Sequence, residues 1–107
     1  MTNNLITRER LALMKQDAYL INIGRGNCLD QEALVDALNE NRLAGAALDV
    51  AKHEPLPEED PLWNAANILI TPHRAAYGDQ MVRRMTALIE RNIHHWLSGE
   101  PLEDRIL

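Results

Sequence analysis

The chain has 107 residues, 46% of them hydrophobic, and a formal net charge of −5, the profile of one soluble globular unit with no second domain. The acidic balance and the scatter of Lys and Arg argue against a nucleic-acid surface; no apolar run reaches the roughly 18 residues of a membrane span, and a cytoplasmic protein is expected. One cysteine, Cys28, excludes an internal disulfide and leaves no Cys cluster for a metal, so it reads as a small apolar filler.

Taken in order, Thr7 caps a first helix over about residues 8–16, with Glu9 near its positive end and Leu11, Leu13 and Met14 for a core face. Residues 18–23 (Ala-Tyr-Leu-Ile-Asn-Ile) predict a strand with little alternation, as expected where both sheet faces are covered. Gly24-Arg25-Gly26 ends it. Asp30 caps a second helix that carries Leu34, Val35 and Leu38 to about Glu40, before Asn41 and Gly45 break the pattern. Residues 44–50 predict a second buried strand, so strand, helix and strand form a right-handed parallel crossover.

Residues 51–66 hold Pro55, Pro57 and Pro61 and the acids Glu54, Glu58, Glu59 and Asp60, an irregular connection with at most a helical turn near Leu62-Trp63. A third strand follows over residues 67–71, stopped by Thr71-Pro72, which places His73 just past a carboxyl strand end, the edge where open α/β sheets bind ligands. From about Asp79 to Ser98 runs the longest helix, with Val82, Met85, Ile89, Ile93 and Trp96 on one face and Gly99 as its stop. His94 and His95 are sequence neighbours on it, so their side chains diverge and neither reads as a metal ligand.

The expected fold class is therefore α/β: a partial doubly wound, Rossmann-like parallel sheet of about three strands with helices and a long C-terminal helix. Three strands leave one long edge and part of one face without cover. No strand is followed by Gly-x-Gly-x-x-Gly, so the phosphate-binding turn of a dinucleotide fold is missing from these residues.

The series Asn22-Ile23-Gly24-Arg25-Gly26 with Asp30, Leu48-Asp49-Val50 with Glu54-Pro55-Leu56, Pro61-Leu62-Trp63 and Thr71-Pro72-His73 resembles the carboxyl-terminal part of the D-isomer-specific 2-hydroxyacid dehydrogenases. The likeness covers almost the whole chain, and the Glu-Pro-Leu-Pro stretch with Ala75-Ala76 is most similar to the glyoxylate/hydroxypyruvate reductase branch. It implies that residues 1–107 are the C-terminal portion of a nicotinamide-dinucleotide-binding domain, without its glycine-rich half and without the substrate domain. It further implies an NAD- or NADP-dependent oxidoreductase of D-2-hydroxy and 2-keto acids. In that family pattern Arg25 binds the substrate carboxylate and carbonyl, Glu54 orients His73 and makes it more basic, and His73 exchanges the proton. Ile23, Gly24, Arg25, Asp49, His73, Ala75 and Ala76 line the cofactor, with Asp49 near the nicotinamide carboxamide. No metal is implied.

The chemistry of those residue types suits the assignment. Reduction of a 2-keto acid gathers negative charge on oxygen and needs a proton donor that titrates near neutrality, while a planar guanidinium grips a carboxylate with two hydrogen bonds. Gly24 and Gly26 let backbone approach a ligand closely, or make a plain turn. Ala76 stands where many relatives have glycine, and Arg74, at a usually apolar position, faces either solvent or an anionic group. Two partner arrangements are expected beside the small acid: a homo-oligomer, or a complementing N-terminal half. The alternative to catalysis is a half-domain serving as a dimerisation or docking module that buries the open sheet edge and Trp63 or Trp96.

Overall fold

The computed structural model describes residues 3–105. They fall into two compact units, the first running to Ala75 and the second starting at Ala76.

The first unit is a three-stranded parallel sheet in the order β1 (Tyr19–Asn22), β2 (Gly45–Leu48), β3 (Ile68–Ile70), with α1 (Arg8–Ala12) and α2 (Gln31–Asn39). Both helices start where a side-chain oxygen satisfies an otherwise unpaired amide: Thr7 accepts from Arg10 N at 3.3 Å and Asp30 from Ala33 N at 3.0 Å. The first helix is shorter than expected, ending at Ala12 with Leu13 as its cap, and Leu13 is 85% exposed instead of packed. Between Asp60 and Ala65 the expected turn near Leu62-Trp63 is a 3-10 helix, Pro61–Asn64, opened by Asp60 and by a proline that needs no amide partner.

Strand register sorts the side chains. Leu20 is level with Ala46, and Ala46 with Ile68; Leu48 is level with Asn22 and Ile70, so these residues share one face. That face meets the buried stripe of α2 (Ala33, Leu34, Ala37, Leu38) together with Leu11, Leu29 and Leu62, which make the core. The opposite face carries Tyr19, Ile21 and Leu69, which are 70%, 71% and 62% exposed, and Ile23 just past β1 is 66% exposed. The expectation that β1 is covered on both faces is thus wrong: it alternates, because both helices described in this unit contribute to the core on the Leu20 side.

The second unit is α3 (Met81–Ser98) with the segments on either side of it. Gly99 ends the helix at φ 73°, a left-handed residue that lets its amide return to the last turn. Asn92 then holds the tail by a reciprocal pair, its Nδ2 donating to the Glu103 carbonyl at 3.1 Å and its Oδ1 accepting from Glu103 N at 2.8 Å. Val82, Met85, Ile89, Ile93 and Trp96 form the apolar stripe that the periodicity predicts, and all five are more than half exposed. Among the described residues no helix is long and apolar enough to cross a membrane.

Candidate active site at the carboxyl ends of the strands

The loops that leave the three strands carry every expected catalytic and cofactor residue except Ala76, which belongs to the second unit. After β1, Asn22 organises the turn: its Oδ1 accepts from Gly24 N and its Nδ2 donates to the Arg25 carbonyl, both at 3.0 Å. Gly26 is buried against the next loop. A β-carbon there would lie 2.0 Å from the Ala51 carbonyl carbon, so the close approach it permits is to the protein's own backbone and not to a ligand. Gly24 is open by comparison, its nearest neighbour being Asn22 Oδ1 at 3.5 Å.

The loop after β2 is pinned from three sides. Gly26 lies against Ala51 and Lys52, Gln31 Oε1 accepts from Lys52 N at 2.5 Å, and Glu54 Oε1 accepts from Ala51 N at 3.0 Å. The second oxygen of Glu54 meets His73 Nδ1 at 2.6 Å. The Ala51 amide first, and then His73, hold the Glu54 carboxyl below its ordinary range. As a carboxylate it only accepts, so Nδ1 carries the shared hydrogen and Nε2 is the nitrogen left to exchange a proton.

Asp49 follows β2 directly and is 6% exposed. Its Oδ1 accepts from the Thr71 hydroxyl at 2.5 Å and from Arg74 N at 2.8 Å, while Oδ2 accepts from Ala75 N at 2.8 Å. The Thr71 hydroxyl and then the Arg74 amide keep this carboxyl below its usual range as well. Between these anchors His73 has φ 54°, a left-handed conformation that costs a non-glycine residue about 1–3 kcal/mol.

Two cavities open at this edge. One, of about 500 Å³, is lined by Asp49, Glu54, Trp63, Thr71 and His73 among others; the second, of about 420 Å³, has mostly apolar walls that include Ile21, Ile23, Leu69, Asp49 and Ala75. The structure therefore brings Glu54 and His73 together, and sets Asp49, Ile23 and Ala75 around one cavity. Arg25 stands apart from both linings: its Nη1 donates to the Gly24 carbonyl at 2.9 Å. Arg74, left open between solvent and an anion, contributes its backbone amide to Asp49. Among the described residues no group of three or more His, Cys, Asp or Glu is placed to hold a metal ion.

The sequence reading assigns no side-chain role to three contributors, Asn22, Thr71 and Gln31. Asn22 had a signal, an asparagine two residues before a glycine at a strand end, which is the pattern of a side-chain-closed turn. Thr71 and Gln31 had none, because their partners Asp49 and Lys52 lie 22 and 21 residues away.

Residues 1–75 match the family described as D-isomer specific 2-hydroxyacid dehydrogenase, NAD binding domain. The chain belongs to the D-isomer specific 2-hydroxyacid dehydrogenase family. A glyoxylate reductase of Thermofilum pendens is 48% identical over 99 residues, 92% of this chain and 29% of that protein. Glyoxylate/hydroxypyruvate reductase B of Pectobacterium carotovorum is 43% identical over 103 residues, 96% of this chain and 32% of that protein. Among solved structures, a D-isomer specific 2-hydroxyacid dehydrogenase from Xanthobacter autotrophicus Py2, in complex with NADPH and MES, superposes with a TM-score of 0.88 at 39% identity, over 99% of this chain and 43% of that one. The chain thus spans about a third of the length of the curated relatives it matches. The partial doubly wound parallel sheet expected from the sequence is what the dehydrogenase family and its solved members support.

Proposed function

We propose that this chain is the carboxyl-terminal portion of a nicotinamide-dinucleotide-binding domain, and that it supplies the proton-handling and nicotinamide-facing residues of a D-2-hydroxyacid dehydrogenase acting on a small 2-keto or 2-hydroxy acid. The observation that carries the reading is the 2.6 Å contact between His73 Nδ1 and Glu54 Oε2 at the carboxyl edge of a parallel sheet.

NAD or NADP, when bound, supplies or accepts the hydride. The largely apolar cavity of Ile21, Ile23, Leu69 and Ala75 suits the flat face of a nicotinamide ring, and Asp49 Oδ2, which accepts one donor, retains capacity for a carboxamide N–H. Gly24, Arg25 and Ala76 are assigned to the same cofactor end by family likeness alone. Arg25 is assigned the substrate carboxylate, which its guanidinium grips once it exchanges the Gly24 carbonyl for the ligand. In the reducing direction His73 Nε2 gives its proton to the substrate oxygen as charge gathers there. The Glu54 carboxylate holds the ring through Nδ1 while Nε2 gives up its proton, which is then replaced from water.

The test is reconstitution: the 107-residue chain combined with the remaining two thirds of a reductase relative should reduce glyoxylate or hydroxypyruvate, and H73A should abolish turnover while leaving nicotinamide nucleotide binding intact. The chain alone should not turn over. Equal rates with and without His73 would refute the assignment.

A second reading, a non-catalytic half-domain used for dimerisation or docking, is favoured by the exposed Tyr19, Ile21, Ile23 and Leu69. It predicts association at micromolar concentration in sedimentation velocity, which an I21D variant should abolish; a well-behaved wild-type monomer would count against it.

A further inference from the structure

The proton-handling pair is a contact between two loops, and the histidine side of it is held by something other than Glu54. Thr71 continues the β3 ladder, its amide donating to the Leu48 carbonyl at 2.9 Å. The next residue, Pro72, has a fixed φ and no amide hydrogen. His73 then turns left-handed at φ 54°, its amide donating to the Thr71 carbonyl at 3.0 Å. Arg74 and Ala75 return to the Asp49 carboxylate, the same group that accepts the Thr71 hydroxyl. One buried carboxylate therefore closes the loop at both ends, with His73 in between. Of the three donors, two are backbone amides that any sequence provides, and the hydroxyl of Thr71 is the one that depends on side-chain identity.

We propose that Thr71 is a positioning residue: its hydroxyl, by closing the Asp49 clamp, fixes the left-handed turn from which the His73 imidazole reaches Glu54. This rests on the reading that His73 and Glu54 act as a pair. Without the hydroxyl, Oδ1 of a carboxylate that is almost wholly buried loses one of its two donors. The Thr71 side of the turn then keeps its ladder amide but loses its side-chain tie to Asp49, and His73 relaxes toward extended backbone that carries its ring away from Glu54.

The experiment uses the 107-residue chain with ¹⁵N-labelled histidine and follows the Nδ1 proton of His73 by NMR. In the wild type, and in T71S, which keeps the hydroxyl, this proton should resonate far downfield and exchange slowly with water. T71V and T71A, which remove the hydroxyl with and without the branched volume, should speed its exchange roughly tenfold or more, the population change that follows the loss of one such hydrogen bond. Amide signals of α2 and β2 should stay in place, which separates loss of positioning from loss of the fold. Wild-type exchange in either T71V or T71A, or failure of T71S to preserve the signal, overturns the proposal. E54Q is the independent check on the underlying reading: it should alter the Nδ1 signal whatever stands at position 71, and an unchanged signal there would refute the His73–Glu54 pair and not the clamp alone.

Discussion

Substituting Gly26 by alanine is a one-methyl change with a large expected effect. The added carbon would lie 2.0 Å from the Ala51 carbonyl carbon, 2.1 Å from its oxygen and 2.4 Å from Lys52 N, against 3.4 Å where ordinary contact begins. All three neighbours are backbone, so no side chain can rotate aside; one loop must move by about 1.4 Å. Overpacking of this kind costs about 1–3 kcal/mol. The Ala51–Lys52 segment also donates to Glu54 Oε1 and Gln31 Oε1, and displacing it weakens both bonds at about 1 kcal/mol each, so the total is roughly 3–5 kcal/mol. With a urea dependence near 1–3 kcal/mol per molar, the unfolding midpoint should fall by about 2 M. Gly78 is the control, since a β-carbon there meets nothing within 4 Å, and G78A should stay within about 0.5 kcal/mol of the wild type. No left-handed φ is involved at Gly26, so the effect isolates the close approach from backbone freedom. Urea unfolding followed by circular dichroism gives both numbers; a G26A midpoint within error of wild type, or a G78A loss as large, would refute the reasoning.

Leu34 is fully buried in the core between α2 and the sheet, and L34A should lose about 2–5 kcal/mol in the same urea experiment, whereas L13A, at an 85% exposed position, should change little. The pH response has a definite sign. Asp49, Glu54 and Glu9 all sit below their ordinary values of 3.8, 4.5 and 4.5, so the stability they contribute is complete above those values and is lost as pH falls through the lower folded-state ones. Unfolding midpoints measured from pH 7 down to pH 3 should therefore hold level and then drop at the acid end, and E54Q should flatten part of that drop; a midpoint that rises on acidification would contradict the assignment.

How much of this was legible beforehand differs from feature to feature. The strands were visible because apolar runs end at Gly24 and at Thr71-Pro72, and α2 because Asp30 caps a run of Leu34, Val35 and Leu38. Which face of β1 is covered was not visible: Leu20 and Ile21 are both apolar, and only the helices packed on one side distinguish the 9% exposed residue from the 71% exposed one. The stripe on α3 was read from its period, yet period fixes a face and not its burial. His73 was placed at a strand end by its neighbours Thr71 and Pro72. Its pairing with Glu54, 19 residues away, was reached through family likeness, since no local pattern encodes a contact between two loops. The role of Gly26 was missed for the same reason. A glycine beside an arginine suggests a ligand, and the backbone it accommodates belongs to Ala51 and Lys52, 25 and 26 positions further on.

The two halves of the candidate site share a construction that bears on how it works. Glu54 spends one oxygen on its own loop through Ala51 N and offers the other to His73, while Asp49 binds the His73 loop at both ends. Each loop is thus ordered by a carboxylate before the two meet, and the His73–Glu54 hydrogen bond forms between groups whose freedom has already been removed. A pair with side chains 47% and 38% exposed contributes little to stability by itself, because water screens it. Its geometry must therefore come from the loops, and the left-handed strain at His73 is sustained by Asp49 and not by the ion pair. Arg25 lacks such a restraint: Asn22 fixes the backbone of its turn, but among the described residues the guanidinium is tied only to Gly24, one residue away. The proposed proton-handling groups are set in advance, and the proposed anion-binding group is left to be drawn in by its ligand.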